Sequence, residues 1–354
     1  MNSHLAIALL LSASAVAFSG QQSGQPRVSD TQFSTEAVGP GLSATVTRFQ
    51  HSNQPLWIGY EVPSLARSHS SSCSDSYGSS SDDGCCGEYR LEGSRDSLIE
   101  TTQKSEPGRM YVLLRLDHGA IVKVRPVNAG CRLNAGGVPF TWITGVQPED
   151  SVRYLAQLAS QPQAENRVTE GSLASLAMHA TPAATNELST LASPPSATRL
   201  REKAAFWLGA ERGHDGRLVL EKLVRTEQDP KLREKLTFDL SINKDPASTD
   251  DLLALAKSDT NPGVRAQAMF WLAQKAGKKA TEALTNAIEN DPDQQVKKKA
   301  VFALSQLPKD EGIPQLIHVA QTNSNPAVRK DAFFWLGQSK DPRALAYLES
   351  VLKQ

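Results

Sequence analysis

Residues 325–352 read NPAVRKDAFFWLGQSKDPRALAYLESVL, and elements of this stretch recur along the chain every 32 residues. One phenylalanine per period stays in register: Phe206, Phe238, Phe270, Phe302 and Phe334. A leucine two residues later does the same: Leu208, Leu240, Leu272, Leu304 and Leu336. A fixed period of this length is typical of stacked structural units that bury a continuous core by packing on their neighbours. The stretch therefore predicts a solenoid, with the recurring phenylalanines in its core.

Each period predicts two helices joined by a short turn. An Asp or Asn next to a Pro opens the first helix, because such residues cap a helix and Pro is tolerated in its first turn. The opening pairs are Asp229-Pro230, Asn261-Pro262, Asp291-Pro292 and Asn325-Pro326. The second helix carries a leucine in register: Leu188, Leu220, Leu252, Leu284, Leu316 and Leu348. We expect about six repeats within residues 148–354, the first of them degenerate, as the terminal repeats of solenoids usually are.

The order of residues within each period resembles the HEAT repeats, in particular the short kind called phycobilisome-lyase HEAT-like. The resemblance rests on the Asn/Asp-Pro opening, an apolar residue before Arg, a small residue and a closing aromatic-x-Leu-Gly. Residues 325–352 and 295–320 look very like repeats of secreted bacterial HEAT-repeat proteins. Residues 55–63 and 131–152 are similar to the N-terminal part of such proteins. The resemblance implies an α-solenoid used for protein–protein contacts, with no reaction attached to the repeat itself.

The region before the repeats predicts a small, mostly antiparallel β domain over residues 31–147. Alternating or β-branched runs indicate strands at 42–49, 55–62 and 140–144, and residues 110–127 predict a hairpin that turns at Asp117-His118-Gly119. A serine-rich stretch at 68–81 predicts a long loop. The whole chain is therefore expected to be α+β, with an all-α C-terminal part.

The N-terminus predicts export. Residues 5–18 form an apolar run, and Ala15-Val16-Ala17 supplies the small-x-small pattern of a cleavage site. We therefore expect a signal peptide at 1–17, a flexible leader at 18–30, and a periplasmic or extracellular protein. An uncleaved anchor or a wrongly assigned start is the alternative.

The charge balance and hydropathy of the sequence argue against a nucleic-acid partner and against a membrane span after the N-terminus. The chain has 38 Lys and Arg against 38 Asp and Glu, so its formal net charge is zero. Nucleic-acid-binding domains usually have a basic surplus, and we expect no nucleic-acid partner. No apolar run long enough to span a membrane follows the N-terminus.

The four cysteines predict two disulfides in an oxidising compartment. Cys85 and Cys86 are adjacent and so are poor partners for each other. One is expected to pair with Cys73 and the other with Cys131, and either assignment is open. A metal site built from these residues with His69 and His118 is the alternative, but the spacing fits no zinc pattern. We therefore predict no metal and no cofactor.

Two further features repeat with the period. The first is a ladder of cations: Arg201, Arg233, Arg265, Lys297 and Arg329. The ladder could bind anions, but pairing with the acid or amide at the neighbouring turn (Asp229, Asn261, Asp293 or Asn325) is favoured, because cations at repeat junctions persist when paired.

The second feature is a tryptophan in alternate repeats, at Trp207, Trp271 and Trp335. Asp239 and Ala303 take the same position in the repeats between. Because a deeply buried Asp is costly, we expect this position at the wet edge of the core. Packing between repeats is the favoured role. The alternative is a set of anchors for a partner, with His318 on the predicted outward face of a second helix as a further candidate.

No pattern of an H-E-x-x-H, G-x-S-x-G or Walker A type is present. The metal-dependent hydroxylase built from HEAT-like repeats needs His-Glu pairs, and this sequence has none. A bilin-lyase-like role is disfavoured by the predicted export. We therefore expect a non-enzymatic binding or scaffolding protein. The alternatives are an enzyme or enzyme subunit with a site in the β domain or at its junction with the solenoid, and a purely structural envelope protein.

Overall fold

The computed structural model describes residues 25–65, 88–92, 108–162 and 166–353. The strands in these ranges are β1 (Arg27–Ser29), β2 (Phe33–Ala37), β3 (Leu56–Pro63), β4 (Tyr89–Arg90), β5 (Arg109–Asp117), β6 (Ala120–Asn128), β7 (Arg132–Asn134) and β8 (Phe140–Thr144). The helices of the N-terminal part are α1 (Leu42–Gln50), α2 (Pro148–Ser160), α3 (Asn166–Met178) and α4 (Pro182–Leu191). The remaining helices are α5 (Thr198–Glu211), α6 (Gly213–Thr226), α7 (Pro230–Ile242), α8 (Ser248–Ser258), α9 (Pro262–Ala276), α10 (Lys278–Asn290), α11 (Gln294–Ser305), α12 (Lys309–Thr322), α13 (Pro326–Gln338) and α14 (Pro342–Leu352).

The predicted fold class is confirmed: a small sheet region comes first and a long series of helical repeats follows. The sheet region is mixed, however, rather than mostly antiparallel. Five strands pair in the order β2-β8-β3-β5-β6, and β1, β7 and β4 form a second sheet. The β3–β5 and β5–β6 pairs are antiparallel, whereas β2–β8, β3–β8, β1–β7 and β4–β7 are parallel.

The hairpin formed by β5 and β6 turns where the sequence predicts. Asp117 pairs with Ala120, and both loop residues have positive φ, 46° at His118 and 74° at Gly119. Two consecutive positive φ values are typical of the tight turns that suit the twist of a hairpin. A Cβ at Gly119 would also lie 2.9 Å from the carbonyl oxygen of Gln50. Glycine is therefore required there by both backbone conformation and space.

Two local expectations are wrong. Residues 42–50 form helix α1 rather than a strand, and Leu42, Thr45 and Val46 are buried on one side of it. Buried residues three or four positions apart are typical of a helix, whereas alternating apolar and polar residues are typical of a strand. This segment fits both patterns, and packing on the sheet decides between them. The leader was expected to be loose to residue 30, but β1 (Arg27–Ser29) pairs with β7.

Helices α2 and α3 join the sheet to the repeats. Pro148 opens α2, and the acids Glu149 and Asp150 lie in its first turn, where the helix dipole favours negative charge. The backbone of α3 lies directly on β6, because a Cβ at Gly171 would be 1.8 Å from the carbonyl oxygen of Val124. One hydrophobic cluster runs from the sheet through α2 and α3 into the repeats. The sheet therefore closes the N-terminal end of the helical stack.

Helices α3 to α14 form six pairs among the described residues. The first helices of successive pairs (α5, α7, α9, α11 and α13) pack side by side. Asp229, Asn261, Asp293 and Asn325 accept hydrogen bonds from backbone N–H groups in the first turns of α7, α9, α11 and α13. The cap of α11 is thus Asp293 rather than the expected Asp291. No helix in the described ranges has the length and apolar character needed to cross a membrane.

Candidate functional site

The cation ladder lies at the junctions between repeats. Nε of Arg233 donates to Oδ2 of Asp259 at 3.0 Å, and Nε of Arg265 donates to Oδ2 of Asp291 at 2.7 Å. Arg201 forms the corresponding ion pair with Glu227. Each acid belongs to the turn that opens the next repeat. The guanidinium of Arg265 also donates to the carbonyl oxygen of Asp259 at 2.8 Å, in the turn before its own helix.

The partners of the ladder differ from those expected. Asp259 and Asp291 lie two residues before the caps, and their Oδ1 atoms accept from the backbone N–H groups of Asn261 and Asp293 at 2.8 and 2.9 Å. Burial alone would raise the pKa of Asp291, but the hydrogen bonds from Arg265 and the Asp293 backbone outweigh it and lower that pKa. The carboxylate is therefore held charged inside the junction by its partners.

The last two cations, Lys297 and Arg329, form no ion pair with a described residue and donate instead to backbone carbonyl groups just before their own helices. Lys297 donates to the carbonyl oxygen of Glu289 at 2.7 Å, and the residue at the acid position of the next turn is Asn323. Arg329 donates to the carbonyl oxygens of Asn323 and Ser324 at 2.7 and 3.1 Å. The ladder thus binds repeats to one another and does not form an open stripe of cations.

Eight aromatic rings form a continuous row along the first helices. The aromatic row, as we call it, consists of Phe206, Trp207, Phe238, Phe270, Trp271, Phe302, Phe334 and Trp335. Every ring has its centroid within 6.3 Å of another member of the row. The row crosses α5, α7, α9, α11 and α13, so it links five successive repeats.

The alternation of tryptophan with smaller residues explains how the row is built. Trp271 lies between Phe238 and Phe270, with centroid distances of 4.9 and 4.8 Å. Trp335 lies between Phe302 and Phe334 in the same way, at 5.0 Å from each.

In the other repeats Asp239 and Ala303 occupy the position of the tryptophan. There the phenylalanines of adjacent repeats stack directly on each other. The centroids of Phe206 and Phe238 are 6.3 Å apart with planes 14° from parallel. Those of Phe270 and Phe302 are 6.0 Å apart with planes 3° from parallel. Both contact types lie in the range that favours aromatic pairs.

The row is open to solvent, which corrects the expectation that its phenylalanines are core residues. Phe206, Phe238, Phe270 and Phe302 are half-buried, and Phe334 is 55% exposed. The recurring leucines, in contrast, are completely buried, and Leu272 for example is 0% exposed. The three tryptophans are half-buried and pack against the edge of the main core.

Asp239 departs from the expectation of a partly wet position, since its residue is only 3% exposed. Burial, and secondarily the nearby charge of Glu202, raises the pKa of Asp239 well above its usual range. Burial therefore favours the protonated, uncharged form of this carboxyl group, which costs less to bury than the carboxylate.

His318, the remaining candidate, is exposed on α12 and has Nε2 3.5 Å from Oγ1 of Thr322. Helix α12 is a second helix, whereas the aromatic row lies on the first helices. The structure thus brings the tryptophans together with the phenylalanines and does not bring His318 to them.

A buried polar group at the junction of the sheet and the repeats was not expected from the sequence. Oγ of Ser151 lies 3.0 Å from the hydroxyl of Tyr60 and 2.9 Å from Nε2 of His179, and Nδ1 of His179 lies 2.7 Å from the carbonyl oxygen of Ser175. Nδ1–H therefore donates to Ser175, and Nε2 accepts from Ser151. Burial lowers the pKa of His179 to about 4, so the imidazole is neutral.

This Tyr60–Ser151–His179 group contains a hydroxyl next to a histidine, as some hydrolases do. All three residues have 0% exposure, however, so no substrate reaches them in this structure. They come from β3, α2 and the residue that follows α3, and they hold these elements together. Arg212 reinforces the junction by donating to the carbonyl oxygens of Ala177 and Thr181 at 3.1 and 3.2 Å.

A groove of about 880 Å³ lies on the other helical layer, over α8, α10 and α12. Its charged lining residues are Lys257, Glu282, Glu289, Asp310 and Glu311.

Within the described ranges, no three His, Cys, Asp or Glu side chains come close enough together to hold a metal ion.

Of the cysteines, Cys131 is described: it is completely buried in the smaller hydrophobic cluster and is not a free thiol. Cys73, Cys85 and Cys86 lie outside the described residues, as does the predicted signal peptide. The disulfide pairing and the export of the chain therefore stay predictions.

Comparison with known proteins bears on the repeats. Residues 281–354 match the family HEAT_2, described as HEAT repeats. No curated protein matches the chain. Among solved structures, human deoxyhypusine hydroxylase in complex with glycerol is 20% identical, over 57% of this chain and 90% of that one, with a TM-score of 0.31. The CpcE–CpcF complex of phycocyanin lyase from Nostoc sp. PCC7120 is 22% identical, over 44% of this chain and 99% of that one, with a TM-score of 0.33.

Kap121p bound to Pho4p is 11% identical, over 57% of this chain and 27% of that one, with a TM-score of 0.38. Such likenesses carry no information on activity. The match to HEAT repeats covers residues 281–354, and the helix pairs observed before residue 281 have the same two-helix architecture.

Proposed function

We propose that this chain is a non-enzymatic protein-binding or scaffolding protein, and that the aromatic row is its binding surface. The observation that carries the proposal is the continuous contact of eight aromatic rings that remain partly open to solvent. Large exposed apolar surfaces on folded proteins mark interaction sites, and Trp is among the residues that dominate binding energy there.

The build of the row supports this proposal. Trp271 and Trp335 each lie between two phenylalanines of adjacent repeats, and Trp207 packs on Phe206, so the rings are held in place before any partner arrives. A surface that is ordered in advance loses little side-chain entropy on binding. The row crosses five repeats, which alternate between a Phe-Trp pair and a single Phe, and this length suits an elongated partner segment that lies across several repeats.

An enzyme or enzyme subunit remains the alternative, with its site in the sheet region or at the junction. The serine and histidine at the junction are closed to solvent, which favours the binding role. The surroundings of Cys85 and Cys86 lie outside the described residues. We further propose export to the periplasm or cell exterior, which rests on the apolar run and small-x-small pattern at the N-terminus.

A photo-crosslinking experiment tests the binding role. A benzophenone amino acid replaces Phe334, which is 55% exposed in the row, or Leu218, which is 46% exposed on the second helix α6. In cells of the source organism, the Phe334 position is expected to give a discrete crosslinked species that disappears when Trp335→Ala is added. Leu218 is the matched control. Equal crosslinking from both positions, or none from Phe334, would contradict the proposal.

A further inference from the structure

The charges beside the aromatic row change along its length. Near its start, Glu202 pairs with Lys235 at 2.6 Å and Glu234 pairs with Lys231 at 3.0 Å. These pairs cancel locally. The position of Glu202 and Glu234 is taken by Ala266 in the next repeat, and then by lysine in the last two.

Three lysines accompany the C-terminal end of the row. Lys298, Lys299 and Lys330 are exposed, and none of them forms an ion pair or hydrogen bond with another described residue. The same two helices also carry Asp331, which is half-buried with one carboxylate oxygen buried without a partner, so the three exposed lysines outnumber the one acid there. The end of the row is thus locally cationic in a chain whose net charge is zero.

Helical spacing places these lysines next to the rings. Lys298 and Lys330 come four residues before Phe302 and Phe334, and side chains at that spacing lie on one side of a helix. Phe334 is the most exposed ring of the row, and Trp335 lies 5.0 Å from both phenylalanines. An exposed aromatic cluster with unpaired cations on one edge is therefore formed by α11 and α13.

We infer that the partner segment that docks on this end of the row is an acidic protein segment with apolar side chains. Its apolar side chains pack on Phe302, Phe334 and Trp335, and its carboxylates face Lys298, Lys299 and Lys330. The aromatic contacts supply affinity, whereas complementary charge at the edge selects the partner and speeds its association. The inference rests on the proposed function and adds the chemical class of the partner.

The charges beside the row also favour an acidic protein segment over a nucleic acid as the partner. Near the start of the row Glu202 and Glu234 pair with Lys235 and Lys231, so a polyanion that followed the rings would find no unpaired cations at these positions. A short acidic segment confined to α11 and α13 avoids them. A single-stranded nucleic acid, which also uses rings and cations, is kept as an outcome of the test.

The test uses a displayed library of random 12-residue peptides sorted on the full chain. Selected peptides are expected to be richer in Asp and Glu, and in Phe, Trp or Leu, than the starting library. A selected peptide should bind the triple variant Lys298→Glu, Lys299→Glu, Lys330→Glu at least tenfold more weakly than the parent. The matched triple Lys222→Glu, Lys257→Glu, Lys279→Glu makes the same charge change on second helices and should bind as the parent does.

The outcomes separate the two proposals. Selected peptides that are neutral or basic, or equal weakening by both triple variants, would overturn the acidic partner while leaving the row as a binding surface. Selection that is unchanged by Phe334→Ala and Trp335→Ala would count against the row itself. A dT20 oligonucleotide that binds as tightly as the selected peptides and competes with them would overturn the acidic protein segment in favour of a nucleic acid.

Discussion

The indole ring of Trp271 lies 4.9 Å from the ring of Phe238, although the two residues belong to different repeats. Its indole Nε1 is buried without a hydrogen-bond partner, so the ring is held by contacts with the neighbouring rings and with the edge of the main core. Such a contact at each second junction joins the phenylalanines of neighbouring repeats into one surface. The row is thus both a product of repeat packing and a feature of the exterior.

The exposure of the row predicts a small stability cost for truncating its phenylalanines. Phe270→Ala should lower the free energy of unfolding by about 1–2 kcal/mol, because the ring is only half-buried and loses mainly ring contacts. Leu272→Ala, at a residue with 0% exposure, should lower it by about 2–5 kcal/mol. Urea unfolding measures both. If Phe270→Ala costs as much as Leu272→Ala, the ring belongs to the core and the row is not a surface.

The ion pair of Arg265 and Asp291 predicts a strong coupling between repeats. Arg265→Ala should lower the free energy of unfolding by about 3–5 kcal/mol, because it leaves a carboxylate buried without its partner. Adding Asp291→Ala should restore part of that loss. A double-mutant cycle by chemical denaturation measures the coupling, and additive effects of the two changes would contradict the role given to the ladder.

The buried imidazole of His179 predicts a loss of stability in mild acid. Its pKa is about 4 in the folded chain and 6.5 in the unfolded chain, so the unfolded chain binds the proton first as pH falls. Stability from this group is fully present above about pH 6.5 and is lost down to about pH 4, by roughly 3 kcal/mol in total.

Unfolding at several pH values measures this slope. The variant His179→Gln should lack this part of the slope, since glutamine does not titrate. A parent and variant with the same dependence between pH 6.5 and 4 would contradict the buried, neutral histidine.

Asp239, on α7 near the N-terminal end of the aromatic row, predicts the opposite dependence of stability on pH. Its folded pKa is raised above the unfolded value, so stability from this group is present below about pH 3.8 and falls as the pH rises toward the folded pKa. Asp239→Asn removes the titrating group and should make the chain more stable than the parent at pH 7. Thermal unfolding of both at pH 7 measures this. A variant that is less stable at pH 7 would show that the carboxylate is charged and paired.

The local signals in the sequence predicted the repeats well because each repeat contacts mainly its neighbours. The period, the caps and the hairpin at Gly119 all follow from residues close together in sequence. The mixed sheet could not be predicted in this way. Its parallel pair Phe33–Phe140 joins distant parts of the chain, and no local pattern encodes such a pairing.

The sequence predicts the aromatic row only in part. The 32-residue period of its phenylalanines is visible in the sequence, but their apolar character alone predicts core positions. The wheel of α5 puts Phe206 away from Ala204 and Leu208, which are buried, and this signal could have identified the exposed side. The partners of the ladder were missed because acids such as Asp259 lie at the end of the preceding helix, two residues before the expected caps.

The most direct test of the central claim is the affinity of the partner recovered by crosslinking at Phe334. Purified partner is titrated against the parent chain, Trp335→Ala and the matched surface variant Leu218→Ala. The account predicts at least a tenfold loss of affinity for Trp335→Ala, because the indole lies between the half-buried ring of Phe302 and the exposed ring of Phe334, and no change for Leu218→Ala. Unchanged affinity for Trp335→Ala, or an equal loss for both variants, would contradict the aromatic row as the binding surface.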